Sequence, residues 1–183
     1  MYYATQYHSP IGLLTLACKD EKLAGLWVEG QKHHGAGMTN ELVFKDDPLV
    51  FGATKLWLDR YFGGLAPEPE ELALTFQGSD FRRGVWSILC KIPYGSVITY
   101  GEIAKRMAAS LGKAHMASQA VGAAVGRNPI SIIVPCHRVV GASGNLTGYA
   151  GGLARKLSLL KLEGVDTSHY SHQIDSNMEA CGF

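Results

Sequence analysis

The chain changes character near residue 78, and that switch limits its folds more than any other feature. Before it, short apolar segments alternate with tight turns; after it, apolar residues recur at helical spacing. Residues 2–8, 13–18 and 23–28 read as consecutive strands of a meander, joined by Ser9-Pro10-Ile11-Gly12 and the charged turn Lys19-Asp20-Glu21-Lys22. Residues 29–46 read as loop with room for one more strand. Asp47-Pro48 offers an N-cap and an N1 proline for a helix that runs to about Phe62 and stops at Gly63-Gly64. Residues 66–71, with Pro67 and Pro69 among acids, read as a linker.

Charge reverses at the same place. Residues 1–80 carry 6 Lys/Arg against 11 Asp/Glu; residues 81–164 carry 11 Lys/Arg against Glu102 and Glu163 alone. Residues 165–183 add three acids and no base, so the overall charge of +1 conceals a strongly basic middle. Such a segment is what a phosphate-backbone binder needs, and it is equally what a solvated basic face looks like. The division is therefore expected at 1–78, 79–164 and an acidic, disordered tail 165–183. With 46% apolar and 18% charged residues the chain is that of a globular protein. No stretch of eighteen apolar residues suggests a membrane helix, and the first residues lack the features of a signal peptide, so a cytoplasmic location is expected.

In the basic segment, Ser79 caps a helix over 80–90 whose Phe81, Val85, Trp86 and Leu89 share a face. Thr99 and Glu102 form a capping box for a helix over 100–109. A second short helix over 117–125 follows, ending at Gly126-Arg127-Asn128-Pro129, and the pair suggests a helix-turn-helix. Its content is unusual: Ala117, Ser118, Ala120, Gly122, Ala123 and Ala124 are all small. Small residues suit close approach to another surface, a DNA groove or a neighbouring helix equally. The apolar run 130–134 reads as a buried strand that delivers Pro135-Cys136-His137-Arg138. A glycine-rich loop over 141–152 and a helix over 153–162, with Leu153, Leu157 and Leu160 inward, complete the segment.

Cys136 is the residue with chemistry to offer. A thiol must become a thiolate to be a good nucleophile, and the neighbouring His137 could take its proton, with Glu163 orienting the imidazole. On an ideal strand, adjacent side chains point to opposite faces, so direct contact requires a kink at Pro135 or a bridging water. The other cysteines, Cys18, Cys90 and Cys181, form no C-x-x-C pair and read as ordinary free thiols.

The octapeptide Ile133-Val134-Pro135-Cys136-His137-Arg138-Val139-Val140 resembles the active-site signature of the O6-alkylguanine-DNA alkyltransferases. Ile92-Pro93-Tyr94-Gly95, Thr99-Tyr100-Gly101-Glu102-Ile103-Ala104, Ala120-Val121-Gly122, Asn128-Pro129, Gly148-Tyr149-Ala150-Gly151-Gly152 and Ser9-Pro10-Ile11-Gly12 match the same family in order. The resemblance implies an α/β, ribonuclease H-like N-terminal domain and a mostly α, winged helix-turn-helix C-terminal domain. It implies a monomer that binds duplex DNA through the minor groove, flips the damaged nucleotide and accepts its alkyl group on Cys136 irreversibly, without cofactor or metal. His137, Glu163 and a water would activate Cys136, Asn128 would hold the turn before it, and Tyr100 would donate to the guanine. Ala117, Gln119, Ala120, Gly122 and Arg138 would belong to the DNA-binding set, and Tyr149, Ala150, Gly151 and Lys156 to the base pocket. Gln119 stands where the family commonly has an arginine that fills the gap left by the flipped base, which implies weaker binding or slower flipping. Ala150 stands where some members have serine.

Three other readings compete: recognition of alkylated bases without repair, which a nucleophilic Cys136 argues against; a Cys-His-Glu hydrolase; and a transcription factor. A hydrolase would turn over repeatedly. The alanine-rich second helix offers a transcription factor few side chains able to read bases.

Overall fold

The computed structural model describes residues 1–35, 38, 42–46, 48–168 and 170. Strands β1 (Tyr2–Ser9), β2 (Gly12–Lys19) and β3 (Lys22–Val28) form the expected meander. Ser9 Oγ donates to Gly12 O at 2.6 Å and closes the first hairpin. At the second, Asp20 and Glu21 both take positive φ, 50° and 55°, the left-handed pair a two-residue hairpin requires. A short β4 (Leu42–Phe44) lies parallel to β1, giving the sheet order β3-β2-β1-β4. Helix α1 (Leu49–Phe62) buries Phe51, Trp57, Leu58 and Tyr61. It begins one residue later than the sequence suggests, with Pro48 itself at the cap; Asp47 lies outside the described residues.

The stretch 66–71 is not a free linker. Trp57 Nε1 donates to Glu68 O at 2.9 Å, Arg60 pairs with Glu71, and the chain then runs along the outer edge of β3 through Leu23 N–Ala73 O and Thr75 N–Leu23 O. The same edge receives the basic segment: Leu26 N donates to Pro129 O and Ser131 N to Leu26 O, both at 2.9 Å. An edge that would otherwise expose unpaired backbone is thereby used to join the two segments.

Beyond residue 78 come α2 (Asp80–Cys90), β5 (Ile98–Thr99), α3 (Tyr100–Ser110), α4 (Ser118–Val125), β6 (Val139–Val140) and α5 (Leu153–Leu162), with β5 and β6 paired in parallel. Ser79 caps α2, and Thr99 and Glu102 form the reciprocal capping box of α3. One core cluster runs from Leu14 and Leu26 through Phe51 and Tyr61 to Trp86, Ile103, Val134 and Leu159. Helix α4 splits its small residues between two uses. Ala124 packs inside, its carbonyl accepting from Trp86 Nε1 at 2.9 Å, while Ala117, Gln119, Ala120 and Ala123 are exposed.

The tail begins as packed chain, since Tyr170 joins Leu146 and Leu160 in a small cluster that also holds Leu153 and Leu157. The rest of the tail, Cys181 included, lies outside the described residues. No helix among the described residues is long and apolar enough to cross a membrane.

Candidate active site

The run 130–134 is buried as expected, but it is not a strand. Only Ile130 bridges to Leu26; the chain then folds through two three-residue turns. Ile133 N donates to Ser131 O at 2.8 Å around Ile132, whose φ is +70°. Cys136 N donates to Val134 O at 2.8 Å around Pro135, at φ −80° and ψ 64°. The second is the relaxed inverse γ-turn; the first is the strained form, and a β-branched residue there costs about 1–3 kcal/mol. An apolar run has the same pattern whether it is a strand or a buried double turn.

Asn128 holds this conformation. Its Oδ1 accepts from Ile130 N at 3.0 Å, and its Nδ2 donates to Val134 O at 2.8 Å and Ile130 O at 3.3 Å. The same Nδ2 lies 3.1 Å from Cys136 Sγ. One side chain therefore braces the turn and donates to the sulfur.

Cys136, His137 and Arg138 form a single 3-10 turn, all three buried. On such a turn successive side chains fan out by about 120° instead of alternating, so the strict opposition of strand geometry does not apply here. No hydrogen bond joins Sγ to the imidazole directly. His137 Nε2 sits 2.6 Å from Glu163 Oε1, and its buried Nδ1 has no hydrogen-bond partner among the described residues. That network assigns the proton to Nε2.

Glu163, one residue past α5, accepts from four groups. Tyr61 Oη donates to Oε1 at 2.7 Å, His137 at 2.6 Å, Arg138 Nη2 to Oε1 at 3.0 Å and Nε to Oε2 at 2.7 Å, and Gly95 N to Oε2 at 3.2 Å. Burial pushes the carboxyl up, but the hydrogen bonds and charges of His137 and Arg138 outweigh it and hold the group at about 2. Gly95 has φ +74°, and a Cβ there would stand 2.9 Å from Glu163 O, so the turn admits only glycine. Burial lowers His137, against the pull of Glu163, so the resting imidazole is neutral at neutral pH. Burial likewise raises Cys136, opposed by the Asn128 hydrogen bond and the Lys156 charge.

Arg138, expected in the DNA-binding set, is instead 5% exposed and held by Glu163 through Nε and Nη2. Besides Glu163 it donates through Nη1 to Ile92 O at 2.6 Å, and its guanidinium lies 5.6 Å from the Tyr94 ring centroid. Its place is beneath the site. Lys156 is also fully buried, donating to the carbonyls of Val139 and Thr147; burial brings it down to about 8. Lys156 lies on α5 and its charge acts on Cys136, while Glu163 caps the end of the same helix. Tyr61 was not legible as a site residue. The one hint was a tyrosine on the apolar face of α1, whose buried hydroxyl needs a partner.

Tyr100, Gly122, Tyr149 and Ala150 line a cleft of about 310 Å³, and a Cβ on Gly151 would meet the Tyr149 ring at 2.8 Å. Tyr100 Oη lies 3.4 Å from the carbonyls of Thr147 and Gly148, and the buried Tyr149 hydroxyl has no partner among the described residues. Gln119 lines an adjoining cleft with Tyr100 and Gly122; Ala117 and Ala120 lie exposed on the same helix.

Residues 80–165 match the model of the 6-O-methylguanine DNA methyltransferase, DNA binding domain. The methylated-DNA--protein-cysteine methyltransferase of Mycolicibacterium paratuberculosis is 46% identical over 155 residues, 85% of this chain and 88% of the relative. That of Methanosarcina acetivorans is 44% identical over 168 residues, 90% and 99% of the two chains. The structure of Mycobacterium tuberculosis OGT in complex with DNA superposes with a TM-score of 0.75 at 43% identity, covering 88% of this chain and 91% of that one. With a buried cysteine braced by Asn128 beside a His137–Glu163 pair, and relatives of this identity over most of its length, the chain belongs to the methylated-DNA--protein-cysteine methyltransferase family.

Proposed function

We propose that the protein repairs O6-alkylguanine in duplex DNA by moving the alkyl group onto Cys136 Sγ, once per molecule. The observation that carries the reading is the buried thiol that accepts from Asn128 at 3.1 Å beside the His137–Glu163 pair at 2.6 Å. With Nε2 committed to Glu163, Nδ1 takes the thiol proton, and a water carries it because no direct hydrogen bond joins the two groups. The new imidazolium is stabilised by Glu163, and the thiolate by Asn128 and Lys156.

The thiolate attacks the alkyl carbon, the S–C bond forms as the O6–C bond breaks, and the electron pair passes to the guanine. Tyr100 Oη donates to the base as that charge grows, and the proton lost by Cys136 ends on the guanine, so the products are a thioether and an unmodified base. A thioether is not hydrolysed, which makes the transfer stoichiometric. O4-alkylthymine presents a similar carbon and belongs to the same reading.

The basic segment over 79–164 is read as a winged helix that enters the minor groove with α4, and residues 1–78 as a ribonuclease H-like domain. The exposed Ala117, Gln119 and Ala120 and the small Gly122 support close approach of α4, with the nucleotide flipped toward Tyr149, Ala150 and Gly151. A monomer suffices, since every group in the scheme comes from one chain.

Intact mass after incubation with a duplex containing one O6-methylguanine tests the proposal. One methyl addition on Cys136, absent in Cys136→Ala, is the expected result. Repeated turnover without mass change would favour a hydrolase, and tight binding without transfer a recognition protein.

A further inference from the structure

The turn over 29–35 takes no part in the chemistry above, yet it is held more firmly than a connection requires. Gln31 is buried, and its Oε1 accepts from Val28 N at 2.8 Å and from Ser131 Oγ, one hundred residues away, at 3.2 Å. Lys32 N donates to Ala150 O at 3.0 Å, tying the turn to the loop that lines the base cleft. His33 takes φ +63°, a left-handed conformation that an L residue adopts at some cost and that turns commonly use. These anchors fix the backbone and leave the side chains of Lys32 and His33 exposed.

Lys32 and His33 form one wall of the 310 Å³ cleft, and Arg127, just past α4, lines it with them; no acid lines it. Neither Lys32 nor Arg127 has a side-chain hydrogen bond or ion pair among the described residues, and the segment that supplies Lys32 is otherwise rich in acid. Tyr100 and Tyr149 line the same cleft. We propose that Lys32 and Arg127 hold a backbone phosphate of the lesion-bearing strand at the mouth of the base pocket, making the 29–35 turn a second DNA-binding element contributed by the N-terminal segment. The inference rests on the proposed repair reading. A phosphodiester suits the pair: the arginine fork and the lysine point charge can share its two free oxygens, and the firm turn means little ordering is lost on binding.

The test is the salt dependence of binding to a duplex carrying O6-methylguanine, followed by fluorescence anisotropy. Lys32→Ala and Arg127→Ala keep the backbone anchors, and Lys161→Ala removes an exposed cation outside the cleft. Each of the first two is expected to lower the slope of log K against log salt by about 0.9 and to weaken binding about eightfold at 0.1 M salt. Lys161→Ala should do neither. Slopes equal to wild type in both cleft variants would overturn the proposal. Methyl transfer by the wild-type protein on the same duplex separates the two levels: without transfer the repair reading fails, and with transfer but unchanged slopes only the phosphate contact does.

Discussion

Tyr61 Oη donates to Glu163 Oε1 at 2.7 Å across 102 residues of chain, so the carboxylate that orients His137 is held from the opposite segment by α1. The ring is fixed independently, stacked on Trp57 at 5.5 Å and edge-on to Phe62 and Tyr94 at 5.3 and 6.0 Å. Tyr61→Phe therefore removes a hydrogen bond to a charged group, together with the hydroxyl's 3.4 Å contact to His137 Nε2, at a cost of about 1.5–3 kcal/mol in denaturant unfolding. With one donor fewer, Glu163 attracts the imidazolium more strongly. The acid limb of the transfer rate should accordingly move to higher pH, which single-turnover kinetics over a pH series will read. An unmoved limb would leave Tyr61 a packing residue.

Asn128→Ala removes the brace of the double turn and the donor to Sγ together. Single-turnover transfer should slow roughly tenfold to a hundredfold, the worth of one hydrogen bond to a charged group. Thermal stability should also fall, because the strained Ile132 loses its support. A variant with lowered stability and an unchanged transfer rate would confine Asn128 to the turn.

Acid sensitivity follows from the same pair. Glu163 sits at about 2 in the fold against 4.5 ordinarily, so its contribution, about 3 kcal/mol, is complete above 4.5 and lost as pH falls toward 2. Burial lowers His137 from 6.5, so the unfolded chain binds that proton first and stability already declines below 6.5. Urea unfolding across pH 3–8 should show a plateau near neutrality and this two-stage fall; a decline that starts only below 4.5 would contradict a neutral His137. Glu163→Gln strands the buried Arg138 and should cost about 3–5 kcal/mol at neutral pH.

Gln119 is exposed on α4 and lines a cleft with Tyr100 and Gly122, so a longer cationic side chain has room there. Gln119→Arg should tighten binding to lesion duplex and accelerate transfer. Equal affinity and equal rate in the variant would mean that the uncharged side chain costs nothing.

The elements were legible where their causes are local. Ser79, and Thr99 with Glu102, set the starts of α2 and α3 through bonds three residues long, and the meander follows from alternation broken by turn residues. Cys136, His137, Asn128 and Glu163 were legible through motif, and the structure brings the four together. Tyr61 was not, because nothing in a helical apolar face says which distant group its hydroxyl will meet. Arg138 was expected in the DNA-binding set through the resemblance alone, and only burial against Glu163 turns it inward.

The sequence by itself determined the thiol and its neighbours, the caps and the reversal of charge, because each depends on residue type at short range. Tertiary structure decided that residues 130–134 turn twice instead of extending, since an apolar run is buried equally well in either form and only Asn128 and the edge of β3 choose between them. It also decided that Glu163 answers to Tyr61, Gly95 and Arg138 at once. Those partners lie 25 to 102 residues from it in sequence, and they meet only when the shared core closes over them.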